Sequence, residues 1–354
     1  MKRRWKLAIA SGVVLAALAT PILYIETSCS GTPQGWAAGA PYTSIQPGTE
    51  GKRAEARSWL TYPEWYIVYS ADSYARYLTK GGRPSGYAYW RDISGFWSGL
   101  CAVNRVADKK STADAKVMLY TIGLSFSVEM AVKSFYENIF GRIAEWIGGA
   151  SSSTDKYNAG VWQRYGAFMH ETPWYRFDFG DAAGGLWRTN GSSYRDWERR
   201  LAIGTEYVVK QGYAKAIGAA SGATLGRDEL TLRFVAHAPA KAIAAVDPRF
   251  KPVAELPGGY VVVEAPRYAQ FSELLGKLAG TGIDLVEIAG NDDILVTLLM
   301  PNDAPIPASA MRLFEQPLED RPGWRRVGVS VKVPALLPLL RNPGGAEIEH
   351  VYDY

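Results

Sequence analysis

The sequence predicts an α+β protein built as an N-terminal transmembrane helix, an aromatic-rich mainly helical domain and a smaller sheet-containing domain. Three observations predict it: a charge-free apolar run near the start, a central region with helical periodicity, and a C-terminal region that alternates every second residue. The 354 residues carry 47% hydrophobic and 21% charged side chains, a globular composition with room for about two domains.

Residues 1–6 form a basic tail containing Lys2, Arg3, Arg4 and Lys6, followed by an uncharged run at 7–25. As a helix that run is roughly 28 Å long, close to the hydrocarbon thickness of a bilayer. Basic residues on one flank only place the N-terminus in the cytoplasm and the bulk outside it, in a single-pass inner-membrane topology. A cleaved signal peptide, giving a secreted or periplasmic protein, is the alternative. Of 39 Lys and Arg, these four lie in the tail, so the other 35 balance the 35 Asp and Glu. A neutral body lacks the basic surface that a nucleic-acid partner requires. The expected partners are therefore the bilayer, through 7–25, and a protein or envelope component. Residues 26–57, rich in Gly and Pro, read as a stalk.

The helical domain spans 58–220. Thr61-Tyr62-Pro63-Glu64 reads as a capping box opening a helix to about Leu78. Twelve aromatics crowd between Trp59 and Trp97, readable as core, as an interfacial belt or as a stacking platform. Trp65, Trp90 and Trp97 are the ligand-binding candidates. Ala113 to Trp146 reads as one long helix or two abutting ones, with Val117, Leu124, Val128, Ala131, Phe135, Ile139 and Ile143 at helical spacing. Its segment 117–132 is a candidate second membrane pass. Glu129, Lys133 and Glu137, spaced by four, read as an ion-pair ladder on a solvated face. Glu64, Glu129, Glu137 and His170 are the acid–base candidates if the protein is an enzyme. Trp174–Phe179 reads as an extended segment, and Ser193–Asp196 as a cap opening a helix to about Ala219. Arg195, Arg199 and Arg200 in that helix read as a solvated cluster.

Gly218–Gly226 reads as a linker into a domain at 227–335. Strands are expected at Glu229–Ala236, Gly259–Ala265, Ile283–Ile288, Ile294–Leu299 and Arg325–Val333, with helices at Arg267–Ala279 and Pro307–Gln316. From Gly259 the order β-α-β-β-α-β is the split βαβ of ferredoxin-like folds. Residues 336–354, broken by Pro338 and Pro343, read as a flexible tail. Asp284, Glu287, Asp292 and Asp293 suggest a hard cation only weakly, because strand alternation separates Asp284 from Glu287 and Asn291-Asp292-Asp293 is ordinary turn chemistry. No metal or cofactor is expected, and no nucleophile elbow, phosphate loop or dinucleotide fingerprint occurs. The sequence thus favours a non-enzymatic binding or assembly module. The alternatives are an envelope enzyme with a carboxylate or His site, and an aromatic-lined lipid- or glycan-binding protein. Cys29 and Cys101, the sole thiols, can bridge in an oxidising space.

Overall fold

The computed structural model describes residues 2–29, 42–53, 61–106, 113–224, 230–318 and 321–352; the linker positions 225–229, and most of the stalk, fall outside them. The apolar run lies in α1 (Lys2–Ser28), whose stretch Ser11–Ser28 is long and apolar enough to span a membrane or to serve as a signal sequence. Cys29, immediately after it, is disulfide-bonded to Cys101, with Cα atoms 5.0 Å apart.

The helical region comprises α2 (Thr61–Thr79), α3 (Tyr89–Val106), α4 (Ala113–Tyr136), α5 (Arg142–Gly148), α6 (Ser153–Met169), α7 (Phe179–Trp187) and α8 (Tyr194–Thr224). A π-helical turn, Glu137–Gly141, joins α4 to α5, so residues 113–148 form one rod. At the start of α8, Ser193 Oγ accepts from the Asp196 amide (3.1 Å), and the Asp196 carboxylate accepts from the Ser193 amide (3.2 Å). The expected cap is present. Helix α8 nevertheless continues through Gly218 to Thr224. Trp174–Phe179 is not extended: Trp174–Arg176 is a 3₁₀ turn and α7 begins at Phe179.

Two four-stranded antiparallel sheets follow. The first contains β1 (Thr231–His237), β2 (Lys251–Leu256), β3 (Tyr260–Pro266) and β4 (Asp284–Ile288) in the order β2-β3-β1-β4. Helix α9 (Ala240–Val246) connects β1 to β2, and α10 (Ala269–Ala279) connects β3 to β4. The second sheet contains β5 (Asp293–Pro301), β6 (Ala310–Pro317), β7 (Trp324–Lys332) and β8 (Glu347–Val351) in the order β6-β7-β5-β8, with α11 (Val333–Arg341) before β8.

Three features of this region differ from what the sequence suggests. The alternation from Gly259 to Val333 is not one sheet, since β3 and β4 lie in the first and β5 and β7 in the second. Residues 310–317 are a strand rather than a helix: pairing along β7 and burial of Phe314 and Gln316 override the helical preference of Ala-Met-Arg-Leu. The tail is not loose, because His350, Val351 and Tyr352 are almost wholly buried and β8 pairs with β5. Pro334 sits in the first turn of α11, where no amide bond is needed, and Leu336, Leu337 and Leu339 are buried despite Pro338.

The two sheets, α10 and α11 share one apolar core. Along β5, Ile294, Val296, Leu298 and Met300 face that core, while Leu295 belongs to the helical core together with Phe314 and Tyr352. The second sheet is thus buried on both faces, and α2 lies across the outer one. There Tyr62 donates to Gln316 Oε1, and the Tyr69 and Tyr352 hydroxyls are 2.7 Å apart. Arg326 binds Glu349 through two 2.6 Å bonds and lies 4.1 Å from the Tyr69 ring. A Cβ on Gly99 of α3 would come within 2.8 Å of Tyr62, so this close crossing needs glycine.

Candidate functional site

Twelve aromatics from Trp59 to Trp97 could have formed a platform, but those described are mainly core. Tyr62, Trp65, Tyr69, Tyr74, Tyr89, Phe96 and Trp97 are buried, whereas Trp90 is exposed. The three candidate tryptophans do not converge. Trp65 packs 3.7 Å from the His350 ring and 5.6 Å from that of His170. Trp97 donates from Nε1 to Ser127 Oγ (2.9 Å) on α4, and Trp90 faces outward.

The acid–base candidates are similarly dispersed. Glu64 occupies the first turn of α2, where the helix dipole favours a carboxylate. His170 Nε2 meets Asp72 Oδ2 at 2.7 Å, at the α6–α2 contact. The Asp72 hydrogen bond raises the His170 pKa against the opposing effect of burial. Glu129 and Glu137 lie on the rod, about 12 Å apart along its axis. Of the four, none is brought against another by a hydrogen bond or ion pair among those described.

Glu129, Lys133 and Glu137 do not form a solvated ladder. They turn inward and pair with α8, which runs antiparallel to the rod. Lys210 Nζ meets Glu129 at 2.8 Å, Lys133 Nζ meets Glu206 at 3.0 Å, and Arg199 meets Glu137 at 2.7 Å and Asp155 of α6 at 2.9 Å. Arg195 completes the row with Glu198 at 2.7 Å and donates to the Gly141 carbonyl at 3.3 Å. Glu145, capped by Ser85, lies 3.5 Å from Arg195. Arg195 and Arg199 are essentially inaccessible, and Arg200, also buried, donates to the Leu186 and Thr189 carbonyls at the end of α7. The expected solvated arginine cluster is therefore an interior one.

Burial of these charges is offset by pairing and by aromatic rings. Trp162 of α6 lies 4.0 Å from the Lys133 ammonium and 4.4 Å from that of Lys210. Burial pushes the Lys133 pKa down, and burial likewise pushes Glu137 up against the pull of Arg199. Glu206 is held below the usual carboxylate range: burial would raise it, but Lys133 and Lys210 outweigh that effect. The cavity beside this row, lined by Ser70, Tyr74, Glu129, Trp162 and Lys210, has a volume of about 20 Å³. That space suits a single water, not a substrate.

Because the charges face inward, the apolar stripe faces outward. Val117, Val128, Phe135, Ile139 and Ile143, which the helical period would place in a core, are all exposed. Along α8, Tyr194, Trp197, Leu201 and Val208 form a matching exposed stripe. The rod thus buries Leu119, Phe126 and Met130 beside its ion pairs and carries a second apolar stripe on its outer side.

A second buried carboxylate, Glu287 on β4, is fully inaccessible. It accepts from Tyr42 Oη (2.7 Å), Ser44 Oγ (2.7 Å) and the amides of Ile45 and Gln46 (3.0 and 3.1 Å). It anchors segment 42–53 to the sheet, while Asp292 and Asp293 pair with Lys332. No group of three or more potential metal ligands occurs among the described residues. The inward charge row was not legible as such: its signal was the four-residue spacing of Glu129, Lys133 and Glu137, and its partners Arg199, Glu206 and Lys210 lie some 60–80 positions away.

No protein-family model matches the chain, and no curated protein or solved structure matches it significantly.

Proposed function

We propose that this chain is a membrane-anchored extracytoplasmic protein, with its N-terminus in the cytoplasm, that acts as a non-enzymatic binding or assembly module for an envelope partner. The observation that carries the topology is the Cys29–Cys101 bond, directly beyond an apolar helix whose opposite end bears Lys2, Arg3, Arg4 and Lys6. Disulfides persist in oxidising compartments, and basic flanks stay in the cytoplasm. The non-enzymatic reading is supported by the dispersal of the acid–base candidates. Glu129 and Glu137 are committed to Lys210 and Arg199, and His170 to Asp72, at separate places. General acid–base work requires at least two such groups aimed into one cleft that a substrate can enter.

We read the C-terminal region as two successive ferredoxin-like units, the second lacking its first helix. What supports this is the common strand order, in which the second strand of each unit pairs with the third, the third with the first and the first with the fourth. Such units host binding and assembly roles as readily as catalysis, so the fold does not itself name an activity.

Reporters fused after residues 60, 155 and 354, combined with the mass of the mature chain, test the topology. The expectation is an uncleaved chain with all three positions outside. A cytoplasmic signal at 60 overturns it; signals outside at 60 but inside at 155 and 354 would mean that the 117–132 segment crosses as well.

A further inference from the structure

The exposed stripes of the rod and of α8 lie side by side. Their register is fixed from Ser125–Tyr213 (2.8 Å) at one end to Glu145–Arg195 (3.5 Å) at the other. Twenty residues of helix correspond to about 30 Å, and two helices are about 20 Å wide, giving a plateau of roughly 600 Å². Its apolar part falls in the range of the largest apolar patches on ordinary monomers, about 300–600 Å², and such patches often mark interaction sites. We propose that this plateau lies flat on the outer leaflet of the membrane that α1 enters, in the manner of an interfacial helix pair, so that the body rests on the bilayer rather than standing off on its stalk. The proposal rests on the anchored topology given above.

Three features select lipid as the occupant. The first is continuity with the anchor. Glu26, near the end of α1, pairs with Lys116 at 3.0 Å and accepts from Tyr120 Oη, both at the start of α4. With the Cys29–Cys101 bond and the Asn104 side-chain donation to the Cys29 carbonyl (3.0 Å), this holds the beginning of the plateau at the point where the chain leaves the bilayer. The second is charge. Between 116 and 148 and between 194 and 219 no Asp or Glu is exposed; the exposed charges there are Arg142 and Lys215, both cations suited to anionic headgroups. The third is the aromatic content. Trp146 and Trp197 are half to almost fully exposed, and indole favours the headgroup boundary. A largely apolar exterior whose carboxylates are paired inward suits lipid, and the two exposed cations, Arg142 and Lys215, have side chains long enough to reach headgroups.

The test uses the full disulfide-bonded chain in phosphatidylglycerol-containing vesicles, with one nitroxide at a time on V132C, V208C, Q163C or V13C. Val132 and Val208 are exposed on the plateau, Gln163 is exposed on the polar face of α6, and Val13 reports the anchor. Oxygen partitions into hydrocarbon, and a water-soluble nickel chelate does not. The expected result is an oxygen-to-nickel collision ratio several-fold higher at 132 and 208 than at 163, with 13 deeper still. Ratios at 132 and 208 equal to that at 163, with 13 in hydrocarbon, overturn the inference and leave the anchor standing. Exclusion of both reagents from 132 and 208 also overturns it, and means that protein covers the plateau: a second copy, another subunit or α1 folded back. If 13 alone is in water while 132 and 208 are in hydrocarbon, the anchor reading falls, and with it the inference that the plateau lies on the membrane that α1 enters, although the plateau itself binds lipid.

Discussion

The rod-and-α8 layer and the two sheets solve opposite problems with the same residue types. In the sheets the alternation is conventional: Val327, Val329 and Val331 point into a shared core with Phe271 and Leu274. In the helical layer Leu119, Phe126, Met130, Ile203 and Tyr207 point in together with the paired carboxylates and cations, while a second set of valines, isoleucines and aromatics points out. The hydrophobic effect accounts for the first arrangement and for the inner side of the second, but it gives no reason in water for the outer stripe. The outer stripe is therefore information about what surrounds the layer, not about how its helices form.

Deleting a ring from each layer gives the largest contrast. Phe271→Ala removes a wholly buried side chain and should cost about 3–5 kcal/mol. Phe135→Ala, at an exposed position, should change stability by less than about 0.5 kcal/mol. Urea unfolding of the detergent-solubilised protein reads both, and equal costs would break the comparison.

Next in size is the disulfide. The double substitution Cys29→Ser/Cys101→Ser opens a separation of 72 residues and should cost about 2–4 kcal/mol. The loss should fall on the helical layer; hydrogen exchange in β5 and β7 should change less than in α3.

A smaller effect sharpens the pH behaviour of the α2–α3 contact. Asp92 is buried beside Ser70 and Tyr87, and burial raises its pKa to about 6 despite their hydrogen bonds. The folded form therefore holds its proton more tightly than the unfolded one, so this group's stabilisation is fully present below about pH 4 and is lost as pH rises through 6. Asp92→Asn should remove that slope and stabilise the protein at pH 7 by about 1–3 kcal/mol, as followed by thermal unfolding across pH. His170 has a raised pKa as well, so its contribution is present below its unfolded value and is lost as pH rises through the raised one. Asp72→Asn should flatten that second slope.

What was legible in the sequence followed from local periodicity. The strands β1, β3, β4, β5 and β7, and the helices α2 and α10, lie within a few residues of their expected bounds because alternation and capping residues are local signals. β6 and β8 were not, since each exists only by pairing with a strand already in place, and Pro338 and Pro343 disguise the segment leading into β8. The rod illustrates a different limit. Its period predicts an amphipathic helix correctly, but which face is buried depends on Arg199, Glu206 and Lys210 arriving in register from α8, and no local pattern contains that. For the same reason the spacing of Glu129 and Glu137 suggests a solvated ladder, while their partners on α8 are invisible to it.

The inward orientation of the rod supports both the structural contrast and the membrane plateau, and a double-mutant cycle at Glu137 and Arg199, read by urea unfolding, tests it most directly. The account predicts that Glu137→Gln and Arg199→Met alone each cost about 3–5 kcal/mol, while together they cost at least ~2 kcal/mol less than the sum, because each single change strands a buried charge. Two single changes each below about 0.5 kcal/mol and strictly additive would mean an exposed, unpaired ladder, and would contradict it.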